Sequence, residues 1–204
     1  MIENWLFVFA TIAVLMIPGP ANALVASSAY QQGTAKTSLY IPVILAGYLY
    51  AINGWALLVH LFSPIWPSFQ ELVHVLSAIG VGWMTFHLFK ARQLEQYNQS
   101  HPQIRPWQMF KGTLKNPKAA LLATGILPLS TWESPSNFVL VFAIFTGIAL
   151  LVALFWMIFG QAILAGESAK RKADLIYKGS ALFLLLCLMP LLINWLDKYS
   201  INSS

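Results

Sequence analysis

The sequence predicts an all-α integral membrane protein of six transmembrane helices, built as two inverted three-helix repeats with proline-broken helices 1 and 4. Three observations predict it. Of 204 residues, 58% are hydrophobic and 9% charged, whereas a soluble domain carries roughly a quarter charged residues; the mean hydropathy of +0.66 agrees. Apolar runs recur along the whole chain at lengths that suit a hydrocarbon core of about 30 Å. Two of these runs are interrupted by proline, at Pro18-Gly19-Pro20 and at Asn116-Pro117-Lys118. Interrupted segments at corresponding places in two halves are a pointer to a transport site.

The longest polar stretch, 91–106, is far too short for a soluble domain. The chain therefore reads as a single membrane domain over 1–204. The first repeat covers about 1–90, a cytoplasmic loop about 91–106, the second repeat about 107–198, and a short tail 199–204.

The first span, about 4–30, runs from Trp5 to Ile17 and resumes at Ala21 after the proline break. Proline removes a backbone donor and frees a carbonyl, and lipid satisfies neither group. Such a break survives where protein buries it or water reaches it. Ala21-Asn22-Ala23 has the small-x-small pattern of a leader cleavage site. The segment before it carries Glu3 and no lysine or arginine, so the span reads as a retained helix.

Spans 2, 5 and 6 (about 38–62, 137–163 and 174–198) are plain apolar runs. Span 3, about 69–90, is weakened by Glu71 and His74. Span 4, about 107–131, is strictly apolar over 119–129 alone, with Pro128 inside that stretch. Aligning Pro20-Ala21-Asn22-Ala23-Leu24 on Pro117-Lys118-Ala119-Ala120-Leu121 sets helix 1 on helix 4. With three helices per half, the second half is then inverted in the membrane.

The basic residues orient the chain. Lys36 follows span 1; Lys90, Arg92, Arg105, Lys111, Lys115 and Lys118 cluster between spans 3 and 4; Lys170, Arg171, Lys172 and Lys178 lie between spans 5 and 6. Of twelve basic residues, this leaves Lys198 alone on the other side. The positive-inside rule makes the crowded side cytoplasmic and puts both termini outside. The net charge of +5 is thus a topology signal, and nucleic acid is not an expected partner.

Inside the spans, polar residues mark either interhelical contacts or a wet path. On helix 2, Tyr50, Asn53, Leu57 and His60 form one stripe, read either as a cavity wall or as interhelical hydrogen bonding. Gly47, Ala51 and Gly54 give the neighbouring face room for close packing. On helix 6, Ser180, Leu184, Cys187, Leu191 and Asn194 read as an interior packing stripe. Helix 3 offers His74, Ser77, Thr85 and His87, of which neither histidine is taken as a ligand. Trp66, Trp107, Trp132 and Trp195 sit near span ends as interfacial belt residues. Lys118 has two readings: an ammonium that snorkels to the cytoplasmic headgroups, or a charge that lines a hydrated pocket beside the helix 4 break.

At these motifs the sequence resembles the LysE/RhtB family of amino-acid exporters, small six-helix proteins of the bacterial inner membrane. The matching pieces are Pro18-Gly19-Pro20, the small residues around Gly47, Phe110-Lys111-Gly112, Asn116-Pro117-Lys118-Ala119 and Pro128. Size, helix count and spacing match over essentially the whole chain. Ala21 stands where family members commonly carry Asn or Asp, with Asn22 next, and Lys115 precedes Asn116 where a neutral residue is more usual. The resemblance implies efflux of an amino acid, driven by the proton gradient and needing no cofactor. Its partners are the amino-acid substrate and membrane lipid, with a homodimer left open.

The expected substrate-binding residues are Pro18, Gly19, Pro20, Ala21, Asn22, Tyr50, Asn53, Asn116, Pro117 and Lys118. Amides at the start of the second half-helix suit a carboxylate, Asn116 and Lys118 complement them, and carbonyls freed by the prolines suit an ammonium. All seven acidic residues lie near span ends or in loops, which favours a neutral amino acid over a cation or a dibasic one. Export of a cation or other small metabolite is the runner-up, followed by a non-transporting assembly or sensor protein. An enzyme is not expected: a single cysteine excludes a dithiol conduit, and neither an HExxH motif nor a serine-histidine pair occurs at membrane depth.

Overall fold

The computed structural model describes residues 2–90 and 104–163. Most of the 91–106 loop, the whole of span 6 with its Cys187 stripe, and the basic cluster 170–178 lie outside the described residues, as do Lys198 and the tail. Every regular element among the described residues is helical.

Helix α1 (Ile2–Met16) stops where Pro18 and Pro20 withdraw two donors, and α2 (Pro20–Gln32) restarts with proline in its first turn, where a missing N–H costs nothing. The two segments meet at 59°. Gly33, at φ +85°, ends α2 in a conformation that disfavours a side chain, and its N–H closes on the Ala29 carbonyl at 3.0 Å. A short α3 (Thr34–Ser38) leads into α4 (Ile41–Phe62). A tight turn stapled by Phe62, Trp66 and Phe69 then reverses the chain into α5 (Phe69–Lys90).

Span 4 is not one helix. It comprises α6 (Pro106–Leu114), α7 (Pro117–Leu121), a π-helical turn over Leu122–Ile126 and a 3-10 turn over Leu129–Trp132. Gln108 Oε1 accepts from the Arg105 N–H at 2.8 Å to start α6, and Asn116 caps α7. The π turn closes from Leu127 N–H to the Leu122 carbonyl at 2.9 Å. Ser134 caps α8 (Pro135–Ile163), its Oγ accepting from Asn137 N–H at 3.2 Å.

Among the described residues, two stretches are long and apolar enough to cross a membrane, Thr34–Phe62 and Pro135–Gln161. The bent pair Trp5–Met16 and Pro20–Gln32 makes a third if it counts as one span. Helix α5, at 22 residues, equals α4 in length.

Small residues set the packing. The first broken helix lies against α8, where a Cβ on Gly160 would come within 2.1 Å of the Ala26 carbonyl oxygen. The second broken helix lies against α4, where a Cβ on Gly47 would meet the Thr113 Cβ at 2.9 Å, and against α5, where Pro117 packs on Gly80. Gly54, expected to share the close-packing face of α4, instead faces open space. The buried core joins both broken helices through Leu15, Ile17, Tyr48, Leu121, Leu122 and Phe145.

Candidate functional site at the helix breaks

A helix that ends inside a protein leaves its last carbonyls without partners. In α1 the prolines at 18 and 20 ensure this, and the chain supplies two replacements. Asn22, just past the break, turns its side chain back so that Nδ2 donates to the Leu15 carbonyl at 2.7 Å and to the Ile17 carbonyl at 2.8 Å. From the other broken helix, Lys118 Nζ donates to the same two carbonyls, that of Ile17 and, at 3.5 Å, that of Leu15. The two breaks therefore meet, and the ammonium of one closes the exposed end of the other.

Lys118 is 0% exposed. This geometry corrects the headgroup-snorkelling alternative: the side chain runs inward to backbone carbonyls. Among the described residues no carboxylate pairs with it. Its position is fixed from behind by Asn116, which is 1% exposed. The Asn116 Oδ1 accepts from the Lys118 N–H at 3.2 Å and caps α7. Its Nδ2 donates to the Tyr48 hydroxyl at 3.3 Å. The Tyr48 ring in turn stands edge-on to Phe145 of α8, with centroids 5.8 Å apart. One polar chain thus runs from α4 through α7 to the end of α1.

Beside this chain lies a cavity of about 10 Å³, the space of about one water centre. Asn22 and Tyr48 form its polar end. Val25, Ile44, Val152 and Ala153 form an apolar wall, and Leu15 and Ala21 complete the lining on the helix 1 side.

Of the residues expected from sequence, Pro18, Gly19, Ala21, Asn22, Asn116 and Lys118 come together here, buried, with Pro20 and Pro117 half-buried beside them. Tyr50 and Asn53 do not join them, and this is a correction. Tyr50 is 67% exposed and stands edge-on to Phe110; Asn53 Nδ2 turns onto its own helix, donating to the Leu49 carbonyl at 2.8 Å. Residues 48 and 50 lie about 200° apart on a helix, so the inward tyrosine is Tyr48. The small residues Gly47 and Ala51 mark that inward face and were the signal that finds it. The carbonyls freed by the prolines, expected to suit a substrate ammonium, are those of Leu15 and Ile17, and Lys118 and Asn22 hold them.

A second polar contact joins α5 to the π turn. Gln70 Nε2 donates to the Thr124 carbonyl at 3.3 Å, and the His74 imidazole lies against Gly125, which has no Cβ to obstruct it. Comparison of the chain with protein-family models, with curated proteins and with solved structures returns no match.

Proposed function

We propose that this chain is a secondary transporter that exports neutral amino acids across the bacterial inner membrane, of the LysE/RhtB type that its motifs resemble. The observation that carries the reading is the meeting of two broken helices, through Lys118 and the Leu15 and Ile17 carbonyls, beside a small cavity lined by Asn22, Tyr48 and aliphatic side chains. A free amino acid has the same division: an ammonium and carboxylate at one end, an apolar side chain at the other. The Leu15 and Ile17 carbonyls suit its ammonium. The backbone N–H groups at the start of α2, at Ala21 and Asn22, suit its carboxylate, and Val25, Ile44, Val152 and Ala153 suit a small aliphatic side chain.

The packing supports the six-span inverted repeat. The broken helix of each half lies against the middle helix of the other: α1 and α2 on α8, α6 and α7 on α4. That exchange is what a two-fold axis in the membrane plane produces, and rocking one half on the other exposes the cavity to each side in turn.

A carbonyl cradle by itself also suits a metal cation or an amine, which keeps cation export as the second reading. The lack of a described carboxylate at the cradle disfavours it, because a bare cation brings no negative charge of its own to offset Lys118, whereas an amino acid brings its carboxylate. The test is initial-rate efflux from preloaded proteoliposomes, across the twenty amino acids, putrescine and monovalent cations, with and without a proton gradient. Gradient-dependent efflux of neutral aliphatic amino acids is expected. Efflux of putrescine or a metal cation alone would replace this reading with the second one.

A further inference from the structure

Lys118 is charged when protonated, wholly buried, and bonded only to neutral acceptors among the described residues. A buried ammonium without a counter-charge stays in place only as long as its carbonyl partners hold it. Those partners are the groups to which the ammonium of a bound amino acid would be drawn. Both cations cannot sit on the two carbonyls together, since like charges a few ångströms apart repel strongly in a dry site.

We propose that Lys118 is the coupling group of transport: a tethered ammonium that competes with the substrate's ammonium for the Leu15 and Ile17 carbonyls and carries the counter-moving proton. The inference rests on the export reading above. In the substrate-free protein, Lys118 is protonated and seals the break. When the cavity opens to the cytoplasm, an N–H bond of Lys118 breaks, the proton passes to cytoplasmic water, and the neutral amine withdraws as the substrate's ammonium takes the carbonyls. After the halves rock, the amino acid leaves to the outside. Lys118 takes a proton from that side, returns to the carbonyls and re-forms the closed state. Each cycle moves one zwitterion out and one proton in, so it carries one net positive charge inward.

Among the described residues no other ionisable group stands against Lys118 to share this role. On α4 the nearest ionisable group is Tyr48, which reaches it only through Asn116, and His60 is exposed at the far end. On α5, His74 is turned to the π turn and Glu71 is exposed; on α6, Lys111 is exposed and stands over the Trp107 ring. The described side chains of α1 and α8 carry no ionisable group, and on α2 only the exposed Tyr30 does.

The experiment is calorimetric binding of L-valine to the purified full-length protein over a series of pH values, with proton release followed by a dye in weakly buffered solution. If the screen above ranks another neutral amino acid higher, that one is the probe. Displacement of one proton makes the apparent Kd rise by about tenfold for each unit the pH falls while Lys118 is protonated in the free protein, with one proton released per molecule bound. Lys118→Gln should show a flat profile and no release, whatever its absolute affinity. Should that variant fail to fold or bind, acetic anhydride labelling of the wild type decides: Lys118 is expected to be protected in the empty protein and acetylated when the probe is bound. A wild-type profile that is flat, a slope that survives in Lys118→Gln, or labelling that ignores the probe would each overturn the inference and leave export standing. Absence of transport for every amino acid removes both.

Discussion

Asn22 does at the first break what a cap does at a helix end, but in reverse: its amide serves carbonyls behind it rather than N–H groups ahead. Replacing it by Ala leaves Leu15 and Ile17 with Lys118 alone, and losing hydrogen bonds to buried carbonyls costs about 1–2 kcal/mol. Asn22→Ala is therefore expected to fall by a few degrees in thermal midpoint and to lose most of its efflux. Tyr48 and Tyr50 provide a matched pair on one helix. Tyr48→Phe removes the hydroxyl that accepts from Asn116 Nδ2 and should lower the efflux rate several-fold, whereas Tyr50→Phe, altering an exposed ring, should run at the wild-type rate. Equal rates in the two variants, normalised to membrane protein level, would detach Tyr48 from the site. The choice between these tyrosines shows how far the sequence is legible at this scale. It marks helix 2 as polar inside, yet the visible stripe of Tyr50, Asn53 and His60 is the outer one. A tyrosine among Gly47 and Ala51 looks like packing until Asn116, 68 positions away, is known to touch it.

At the scale of elements, the breaks are legible in the sequence because proline acts locally, on its own N–H and on the carbonyl one turn earlier. The π turn at Leu122–Ile126 is not legible, because Leu122-Ala123-Thr124-Gly125-Ile126 is an ordinary helical string. Its wider turn goes with the close approach of His74 to Gly125, and π turns of this kind often lie at working sites. Two expectations follow for whole elements. With both prolines replaced, Pro18→Ala/Pro20→Ala, the first helix regains its i→i−4 ladder and inserts normally, but the carbonyls that hold Lys118 turn back into the helix and transport falls sharply. Unimpaired efflux from a well-expressed double variant would show that the break is not needed. The glycines make a stability test of the helix contacts. Gly160→Ala drives a Cβ to within 2.1 Å of a backbone oxygen on α2, which side-chain movement cannot relieve, and should destabilise by about 1–3 kcal/mol. Gly54→Ala meets nothing within 4 Å and should hold or raise the thermal midpoint, since alanine is the better helix former.

For the whole molecule, charge and packing make independent statements about the same arrangement. Composition and the lysine and arginine bias follow from the solvent and the membrane potential, so a single sequence displays them openly; the partner of each helix depends on contacts between distant segments and is displayed only by the fold. The packing of the first broken helix on α8 and of the second on α4 fits the proposed inversion of two halves. Inversion goes with an odd number of spans in each half, three in the six-span reading, and that reading puts both termini on one side. The positive-inside rule names the side: on the six-span reading of the sequence, Lys36, Arg105, Lys111 and the basic residues of 170–178 fall to the cytoplasm and Lys198 to the other face. Reporter fusions after Lys36, Gln99 and Lys172 should therefore report cytoplasm, and fusions near Pro67, Ser134 and Ser204 the outside. The decisive fusion is the last. An external C-terminus needs an even span count with the charge bias as it stands, and six is the count that gives each half a broken helix of its own. A cytoplasmic C-terminus would force an odd number of spans, leave the two halves unequal, and remove the two-fold symmetry on which the proposed rocking of one half against the other rests.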